Sequence, residues 1–405
     1  MNPDPDRLAA DWAALSAFRD PDQPGWTRRP FTSEYRAARA WLTSRMADAG
    51  LQVDVDAGGN LVGRRIGSHP SLPKLLLGSH SDTVVGGGRF DGMVGVLAAI
   101  EVGRCLAGTN LRRTLEIVDF LAEEPTDFGI STIGSRSMAG ALSADMLALR
   151  SGDMSLADAI ASMGGRPDAI GAARTDVGLY LELHIEQGPV LENAGLHLGV
   201  VTAITGIARC HVRVTGRADH AGTMPMAQRR DALAAASEMV LGVERLWHDG
   251  AGVGTVGRLS VSPNATNVVP GSVELWAEMR SVQAEALRQR YATFVQTAQA
   301  IGRDRNLAVA LTPVSDEPPV PIPADVQTVL ADVVAALGHE PRRLPSYAGH
   351  DANQLAKIAP IGMLFIPSHD GRSHCPEEWT DLSDVALGAH ALGGAVTKFD
   401  VAVSS

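Results

Sequence analysis

Four apolar, strand-like runs of this chain each end in histidine and carboxylate residues. They lie within Leu75–Asp82, Thr114–Glu124, Leu179–Gly188 and Ile361–His374. In open α/β sheets, ligands bind outside the carboxyl ends of the strands. Because His, Asp and Glu are ligands of divalent metal ions, the pattern predicts an α/β domain with a metal site at one edge of its sheet.

The order of the predicted elements indicates that this α/β domain is discontinuous. Strands and helices alternate in the first part of the chain, which predicts parallel βαβ units. From Ala208 onward a β-α-β-β-α-β order, typical of ferredoxin-like α+β domains, replaces this pattern until a Pro-rich stretch that predicts a linker, Glu317–Pro323. We therefore expect a catalytic domain of residues 1–207 and 324–405, with an inserted domain of residues 208–323.

Composition and charge exclude several classes of protein. The net charge of −11 argues against binding to a nucleic-acid backbone, which needs a basic face. No apolar run reaches the roughly 18 residues of a membrane span, so no membrane partner is expected. The three cysteines form no CxxC pair, and the polar N-terminus has no apolar signal core, so the expected location is the cytoplasm.

The first cluster of metal-type residues follows the first buried strand. His80 and Asp82 are two residues apart, so in an extended chain they point the same way, and a Gly-rich loop then brings Asp91 back. Each residue alone has an ordinary explanation: Asp91, for example, could cap the helix that is predicted to begin at Gly92. Their joint occurrence favours a metal site.

The second cluster is the adjacent pair Glu123 and Glu124, which follows a fully apolar strand. Two neighbouring carboxylates at a buried strand end repel each other. A cation would neutralise one of them and leave the other with a raised pKa suited to a general base, whereas the alternative is a solvated turn. His184 follows the third strand, and His374 follows the fourth.

Three histidines, one aspartate and one glutamate are thus the candidate ligands, and one glutamate is left over. This set has one carboxylate more than a single-zinc site needs and suits two metal ions that share a carboxylate. The mixed nitrogen and oxygen ligands fit two divalent ions per subunit, Zn, Mn, Co or Ni.

Seven motifs of this chain occur in the same order in a known family. They are GSHSDTVVGGGRFDG, AEEPTDFG, LELHIEQGPVLE, ADHAGTMPM, NATNVVPG, GHDA and SHCPEEW. With them the chain resembles the hydantoinase/carbamoylase branch of the M20 metallopeptidase-like superfamily, which contains N-carbamoyl-L-amino acid hydrolases and allantoate amidohydrolases. The resemblance implies a zinc-exopeptidase-like α/β catalytic domain and an inserted ferredoxin-like domain that acts as a lid and dimer contact.

The resemblance also implies a role for each candidate ligand. His80 and His184 would bind one metal ion, Glu124 and His374 would bind the other, and Asp91 would bridge the two. Asp82 would orient His80, and Glu123 would be the catalytic general base.

Further residues match positions of the family that contact the substrate. His220 and Asn267 would hold the substrate carbonyl or oxyanion, and Arg280 would bind the substrate carboxylate. Contacts with the substrate are also expected from the following residues of the catalytic domain: Gln187, Tyr347, Gly349 and His350. Tyr347 stands where the family commonly has a small residue, and His369 stands where a longer cation is frequent, so the exact substrate is open.

The implied reaction is hydrolysis of a linear ureido or amide C–N bond, with an N-carbamoyl-L-amino acid giving the amino acid, CO2 and ammonia. Alternatives are the hydrolysis of allantoate, of ureidoglycolate or of another N-acyl amino acid. A metal-free binding protein of the same fold is the alternative from another class. The expected partners are a small substrate with a carboxylate and a second copy of the chain, and it is open whether His220 and Asn267 act within their own subunit or across the dimer.

Overall fold

The structure is a computed structural model and describes residues 2–401. These residues form two compact units. The first contains the chain up to Thr202 and again from Ile322, and the second is Ala203–Pro321. No helix of the described part of the chain is long and apolar enough to cross a membrane.

The first unit is built on one mixed sheet whose strands run in the order β1-β2-β4-β3-β7-β17-β8, with β16 also paired to β8. A separate small hairpin is formed by β5 and β6. The strands are β1 Gln52–Val55, β2 Leu61–Arg65, β3 Lys74–His80, β4 Leu115–Phe120, β5 Arg150–Ser151, β6 Met154–Ser155, β7 Val177–Ile185, β8 Gly199–Ile204, β16 Arg342–Ser346 and β17 Ile361–Ile366.

The four central strands β4, β3, β7 and β17 are parallel neighbours. Their carboxyl ends therefore lie at the same edge of the sheet. Nearly every residue of these strands is buried, which explains why they read in the sequence as continuous apolar runs and not as alternating ones. The predicted α/β sheet, with its βαβ unit of β3, the intervening helix and β4, is confirmed.

Helices of the first unit fill the connections between its strands. They are α1 Pro5–Ala17, α2 Ser33–Asp48, α3 Met93–Cys105, α4 Ile133–Met138, α5 Ala144–Leu147, α6 Leu156–Ser162, α7 Val190–Ala194, α10 Ala324–Ala336, α11 Asp351–Leu355 and α12 Leu382–Val401. Helix α3 is buried along almost its whole length, because it packs on β3 and β7 as well as on α12. This explains why its sequence is apolar on all sides.

The second unit has a four-stranded antiparallel sheet in the order β11-β13-β9-β14. Together with its two long helices, this is the order of a ferredoxin-like unit. Its core consists of apolar side chains from the helices and from one face of the sheet. The elements are β9 Gly206–Thr215, β10 Asp219–His220, α8 Ala232–Arg245, β11 Val253–Ser262, β12 Val268–Val269, β13 Ser272–Ser281, α9 Ala284–Asp304, β14 Ala308–Glu317 and β15 Val320–Pro321.

The linker predicted for Glu317–Pro323 was partly wrong. Glu317 ends β14, and β15 pairs antiparallel with the end of β8, Val320 with Ile204 and Pro321 with Ala203. A proline is tolerated in such a short edge strand because the missing N–H group is not needed by a further neighbour. The sequence signal was therefore typical both of a linker and of an edge strand.

The close approach of α3 to the sheet depends on Gly95. A Cβ atom at this position would lie 2.5 Å from the carbonyl oxygen of Leu183 and 2.6 Å from Cβ of Ser79. Overpacking of this kind costs about 1–3 kcal/mol, and we expect Gly95→Ala to lower the free energy of unfolding by such an amount. The control is Gly108→Ala, since a Cβ there meets nothing within 4 Å. Urea unfolding of both variants measures the difference, and equal stability would contradict this account of the packing.

Candidate metal centre

The carboxyl ends of the parallel strands carry the predicted metal ligands. His80 is the last residue of β3, and His184 lies one residue before the end of β7. Glu123 and Glu124 follow β4, and His374 lies in the loop after β17. The structure therefore brings together side chains that are up to about three hundred residues apart in the chain, as expected for neighbouring strands of a parallel sheet.

One group of potential ligands consists of His80, Asp91 and His184, all of which are buried. The Nε2 atoms of His80 and His184 lie 3.8 Å and 3.1 Å from Oδ1 of Asp91. In each ring Nδ1 faces a backbone carbonyl, that of Asp82 at 3.1 Å and that of Ile185 at 2.9 Å. These carbonyls hold a proton on Nδ1, so Nε2 of each ring is the atom that would bind a metal ion.

A second group consists of Asp91, Glu124 and His374. Nε2 of His374 lies 2.8 Å from Oδ2 of Asp91 and 3.4 Å from Oε1 of Glu124. Asp91 thus belongs to both groups, with one carboxylate oxygen directed to each. Within each group the ligand atoms lie within 4.8 Å of one another.

This arrangement fits a pair of divalent cations. Each group offers three ligands of the nitrogen and oxygen type that Zn, Mn, Co and Ni accept. Asp91, which belongs to both groups, would bridge two such ions. Several carboxylates are also buried close together here, and a cation would compensate their mutual repulsion. The chemistry of the ligands therefore supports the predicted metal site.

Glu123 belongs to neither group of ligands. It is buried, and its Oε2 lies 3.7 Å from Nε2 of His80. Burial raises the pKa of Glu123 well above the usual range, and the charges of Glu124 and Asp351 add to the effect, while His80 opposes it. A carboxylate with a raised pKa beside a metal site is suited to accept and return a proton.

Asp82 holds the backbone that carries the two glutamates. Its Oδ1 accepts a hydrogen bond from the N–H group of Glu123 at 3.2 Å, and its Oδ2 accepts one from Glu124 at 3.0 Å. Its distance to Nδ1 of His80 is longer, 3.6 Å. The sequence suggested that Asp82 orients His80, and the structure adds that the same carboxylate fixes the carboxyl end of the neighbouring strand.

The pKa values of Asp91, Glu124 and His374 are all shifted from their usual ranges, but not in the same direction. Burial favours the neutral form of Asp91, but hydrogen bonds with His184 and His374 hold its pKa well below the usual range. Burial and the Asp91 charge raise the pKa of Glu124 to about 8. The hydrogen bond with Asp91 raises the pKa of His374 to about 9 although burial opposes the shift. Without a bound ion, Glu124 and His374 therefore hold protons at neutral pH, whereas Asp91 is ionised.

The predicted substrate contacts of the first unit lie at different depths. Gln187 donates from Nε2 to Asp91 Oδ2 at 3.2 Å, and its buried Oε1 has no hydrogen-bond partner among the described residues. His350 is buried, with its ring 4.6 Å from that of His184 and its Nε2 2.7 Å from Ser346 Oγ. Tyr347 is 37% exposed, and a Cβ at Gly349 would meet nothing within 4 Å. His350 is therefore buried beside His184, one of the predicted metal ligands. This position suits support of the His184 ring better than direct contact with a substrate.

The second unit carries the other three predicted substrate contacts. His220 is exposed and its Nδ1 accepts a hydrogen bond from Gly222 N at 3.0 Å, which leaves Nε2–H as the free donor of the neutral ring. Asn267 is its neighbour, since the carbonyl of Asn267 accepts from Ala221 N at 2.9 Å. Arg280 lies on β13 and donates from Nε to Oε1 of Glu278 at 2.7 Å.

Sequence reasoning missed two buried carboxylates, Glu182 and Glu378. Glu182 lies close to His184 and His350, but its two oxygens already accept hydrogen bonds from Ser79 Oγ and Tyr180 OH, at 2.7 and 3.0 Å. Glu378 accepts backbone hydrogen bonds from the loop that carries Asp91. Glu378 is the second member of an adjacent glutamate pair, as Glu124 is, but nothing in the sequence links it to the distant loop of Asp91.

Comparisons with known proteins identify the family of this chain. A model of peptidase family M20/M25/M40 matches residues 76–398. The chain is 41% identical over 375 residues to an N-carbamoyl-L-amino acid amidohydrolase of Geobacillus stearothermophilus, covering 91% of this chain and 92% of that protein. It is 37% identical over 404 residues to a ureidoglycolate hydrolase of Arabidopsis thaliana, covering 96% of this chain and 85% of that protein.

A solved structure gives the same result for the fold. An amidase of the hydantoinase/carbamoylase family from Burkholderia multivorans matches with a TM-score of 0.91 and 32% identity, over 98% of both chains. The similarity spans almost the whole chain, so the predicted fold class, a zinc-exopeptidase-like α/β fold, is confirmed.

The raised pKa values predict that metal uptake depends on pH. With the pKa of Glu124 at about 8 and that of His374 at about 9, an ion in their group has to displace both protons at pH 7. The affinity should therefore rise by about two log units per pH unit between pH 6 and 7, and less steeply at higher pH as Glu124 and His374 lose their protons. Titration with Mn2+ in buffers of different ionisation enthalpy measures the protons released. Glu124→Gln lacks a ligand of this group, so it should bind one ion fewer and release about two protons fewer, and uptake that is independent of pH would contradict the assignment.

Proposed function

Since the chain belongs to peptidase family M20/M25/M40, in its hydantoinase/carbamoylase branch, we propose that it cleaves N-carbamoyl-L-amino acids with two metal ions. The chain is a hydrolase of carbon–nitrogen bonds other than peptide bonds, and the substrate and the number of ions are the proposal. Its products would be the L-amino acid, CO2 and ammonia. Because the chain is a hydrolase, the alternative of a binding protein without enzymatic activity is not proposed.

The observation that carries the proposal is the position of Asp91. One oxygen of Asp91 is directed to His184 and the other to His374, so two ligand groups share this single carboxylate. His80 and His184 would hold one ion, Glu124 and His374 would hold the other, and Asp91 would bridge them. When bound, such ions would polarise the substrate carbonyl and lower the pKa of a bound water molecule.

Glu123 is the residue that moves the proton. Its carboxylate lies beside His80 but outside both ligand groups, and burial raises its pKa. It would accept a proton from the attacking water and then deliver this proton to the leaving nitrogen. Asp82 supports this role, because it fixes the backbone N–H groups of Glu123 and Glu124.

Side chains of the second unit would bind and polarise the substrate. The Nε2–H group of His220 is the free donor of its ring, so it can stabilise an oxyanion together with the amide of Asn267. The guanidinium of Arg280 can bind the α-carboxylate, and its contact with Glu278 fixes its direction. In the first unit, the unpartnered Oε1 of Gln187 can accept a hydrogen bond from a ureido N–H group.

Two other substrates remain as alternatives, namely allantoate and ureidoglycolate. Both combine a ureido group with a carboxylate, so the same ligands and the same arginine would serve them. The relative with 41% identity is an N-carbamoyl-L-amino acid amidohydrolase, and this supports the carbamoyl substrate over the others. A further N-acyl amino acid is the third alternative, and Tyr347 and His369 are where such a preference would arise.

The second unit would also act as a lid and as the contact between two subunits. This role is inferred from the family resemblance, as is the possibility that His220 and Asn267 serve the neighbouring subunit. A cytoplasmic location stays a prediction in the same way.

The test of the proposed function is a substrate panel assayed by mass spectrometry. The protein would be stripped with a chelator, and Zn, Mn, Co or Ni would be restored one at a time. The panel would contain N-carbamoyl-L- and D-amino acids, allantoate, ureidoglycolate, N-acyl amino acids and dipeptides. Metal-dependent release of L-amino acid from the carbamoyl compounds supports the proposal, turnover of another member replaces the substrate, and the absence of any turnover contradicts the proposal.

We expect Glu123→Gln and Glu124→Gln to fail for different reasons. Glu123→Gln should lower kcat by about 10²–10⁴-fold, the usual contribution of a general base, and retain its metal ions. Glu124→Gln should lose occupancy by one ion because a ligand is missing. Steady-state kinetics combined with elemental analysis separates the two effects. Loss of metal from Glu123→Gln, or activity close to that of the parent, would contradict the role as a base.

Arg280→Ala should mainly affect substrate binding. A charged hydrogen bond contributes about 1.5–3 kcal/mol, so KM for a carboxylate substrate should rise about 10- to 100-fold. A substrate analogue with an amide in place of the carboxylate should lose much less. The control is Arg213→Ala, since Arg213 is an exposed arginine of the neighbouring strand that pairs with Glu274. An unchanged KM in Arg280→Ala would place the carboxylate contact elsewhere.

A further inference from the structure

The buried carboxylate of Glu378 joins the two loops that carry Asp91 and His374. It is only 2% exposed. Its Oε1 accepts hydrogen bonds from the backbone N–H groups of Phe90 at 2.8 Å and Asp91 at 3.0 Å. Its Oε2 accepts one from Ser373 Oγ at 2.7 Å and one from His374 N at 3.3 Å. Each oxygen of this side chain therefore serves one of the two loops.

The loop of His374 needs such support because of its backbone conformation. His374 has a φ of 56°, in the left-handed region that favours glycine. Strained conformations of this kind persist only when the surrounding structure holds them. The hydrogen bond to Glu378 holds the N–H group of this same residue. Gln187 adds a second link, since its Nε2 contacts both Asp91 Oδ2 and Ser373 Oγ.

Asp91 and His374 are two members of one ligand group, and Glu378 accepts hydrogen bonds from the backbone of both. We propose that Glu378 is a positioning residue that fixes the separation of Asp91 and His374, and that it thereby sets the affinity of the Asp91–Glu124–His374 group for its ion. This inference rests on the proposed two-metal function. Carboxylates that orient ligands in this way typically contribute 10- to 100-fold to metal affinity.

The two acceptor oxygens make glutamate specific at this position. A glutamine has one oxygen and one NH2 group, and the NH2 group would oppose backbone N–H donors on whichever side it lies. Glu378→Gln therefore keeps the shape of the side chain while it breaks the connection to one loop. The neighbouring Glu377 is exposed and pairs with Arg372 at 2.9 Å, so Glu377→Gln is a matched control for the lost charge.

Gly88 offers a second way to disturb the same carboxylate. A Cβ atom at Gly88 would overlap with Cβ and Oε1 of Glu378. Gly88→Ala should thus displace Glu378 without changing any charge, and Gly108→Ala, which meets no neighbour, is its control. If Gly88→Ala and Glu378→Gln weaken metal binding alike, the effect comes from the position of the carboxylate and not only from its charge.

The test uses Co2+ as the probe, added to the metal-stripped full-length protein. Visible absorption and competition with a chelator give the affinity of each of the two ions. We expect Glu378→Gln and Gly88→Ala to bind one ion about 10- to 100-fold more weakly, with the other ion changed much less and with the controls equal to the parent. Thermal unfolding of the stripped variants shows whether they are folded to the same extent as the parent.

The outcomes separate this inference from the function on which it rests. Two ions that bind to both variants with parental affinities would overturn the role of Glu378 and leave the proposed function intact. An equal loss of both ions would also overturn it, since a general folding defect has no preference between the groups. A parent protein that binds no ion would instead contradict the proposed function.

Discussion

The first unit is organised around the buried carboxylate of Asp91 and its contacts with two histidines. Its two oxygens lie 3.1 Å from Nε2 of His184 and 2.8 Å from Nε2 of His374. Hydrogen bonds with both rings keep it ionised despite its burial. The imidazoles and the glutamates lie near Asp91 because they follow the carboxyl ends of neighbouring parallel strands. Asp82 and Glu378 accept hydrogen bonds from the backbones of the loops that carry these residues. A charge buried without such partners would be expelled or neutralised, so the surrounding architecture and the ionised state of Asp91 require each other.

The sequence predicts that these side chains converge because each of them follows the end of a strand. Leu75–Ser79 and the other apolar runs identify the parallel strands, and a parallel sheet has only one edge where all the carboxyl ends meet. The sequence alone therefore places four of these side chains together, those of His80, Glu124, His184 and His374. Val320–Pro321 was missed as an edge strand because two residues with a proline carry no periodicity, and a linker has the same composition.

The supporting residues were harder to predict than the ligands themselves. Glu378 acts on backbone groups that are 287 positions away, and a contact between a side chain and a distant N–H group leaves no spacing rule in the sequence. The burial of His350 against His184 depends on how α11 packs, which its motif does not reveal. Sequence patterns thus identified groups that carry chemistry, whereas the hydrogen bonds that orient them needed the structure.

The three imidazoles differ in their exposure to solvent. Those of His80 and His184 are almost wholly buried, whereas that of His374 is 50% exposed. An exposed ligand can rotate into water and be replaced on the metal ion by a water molecule or a chelator, whereas a ligand enclosed in the protein cannot. Two ions bound as proposed would therefore exchange with the medium at unequal rates, and the protein would pass through a half-loaded form whenever the supply of metal in its surroundings fell.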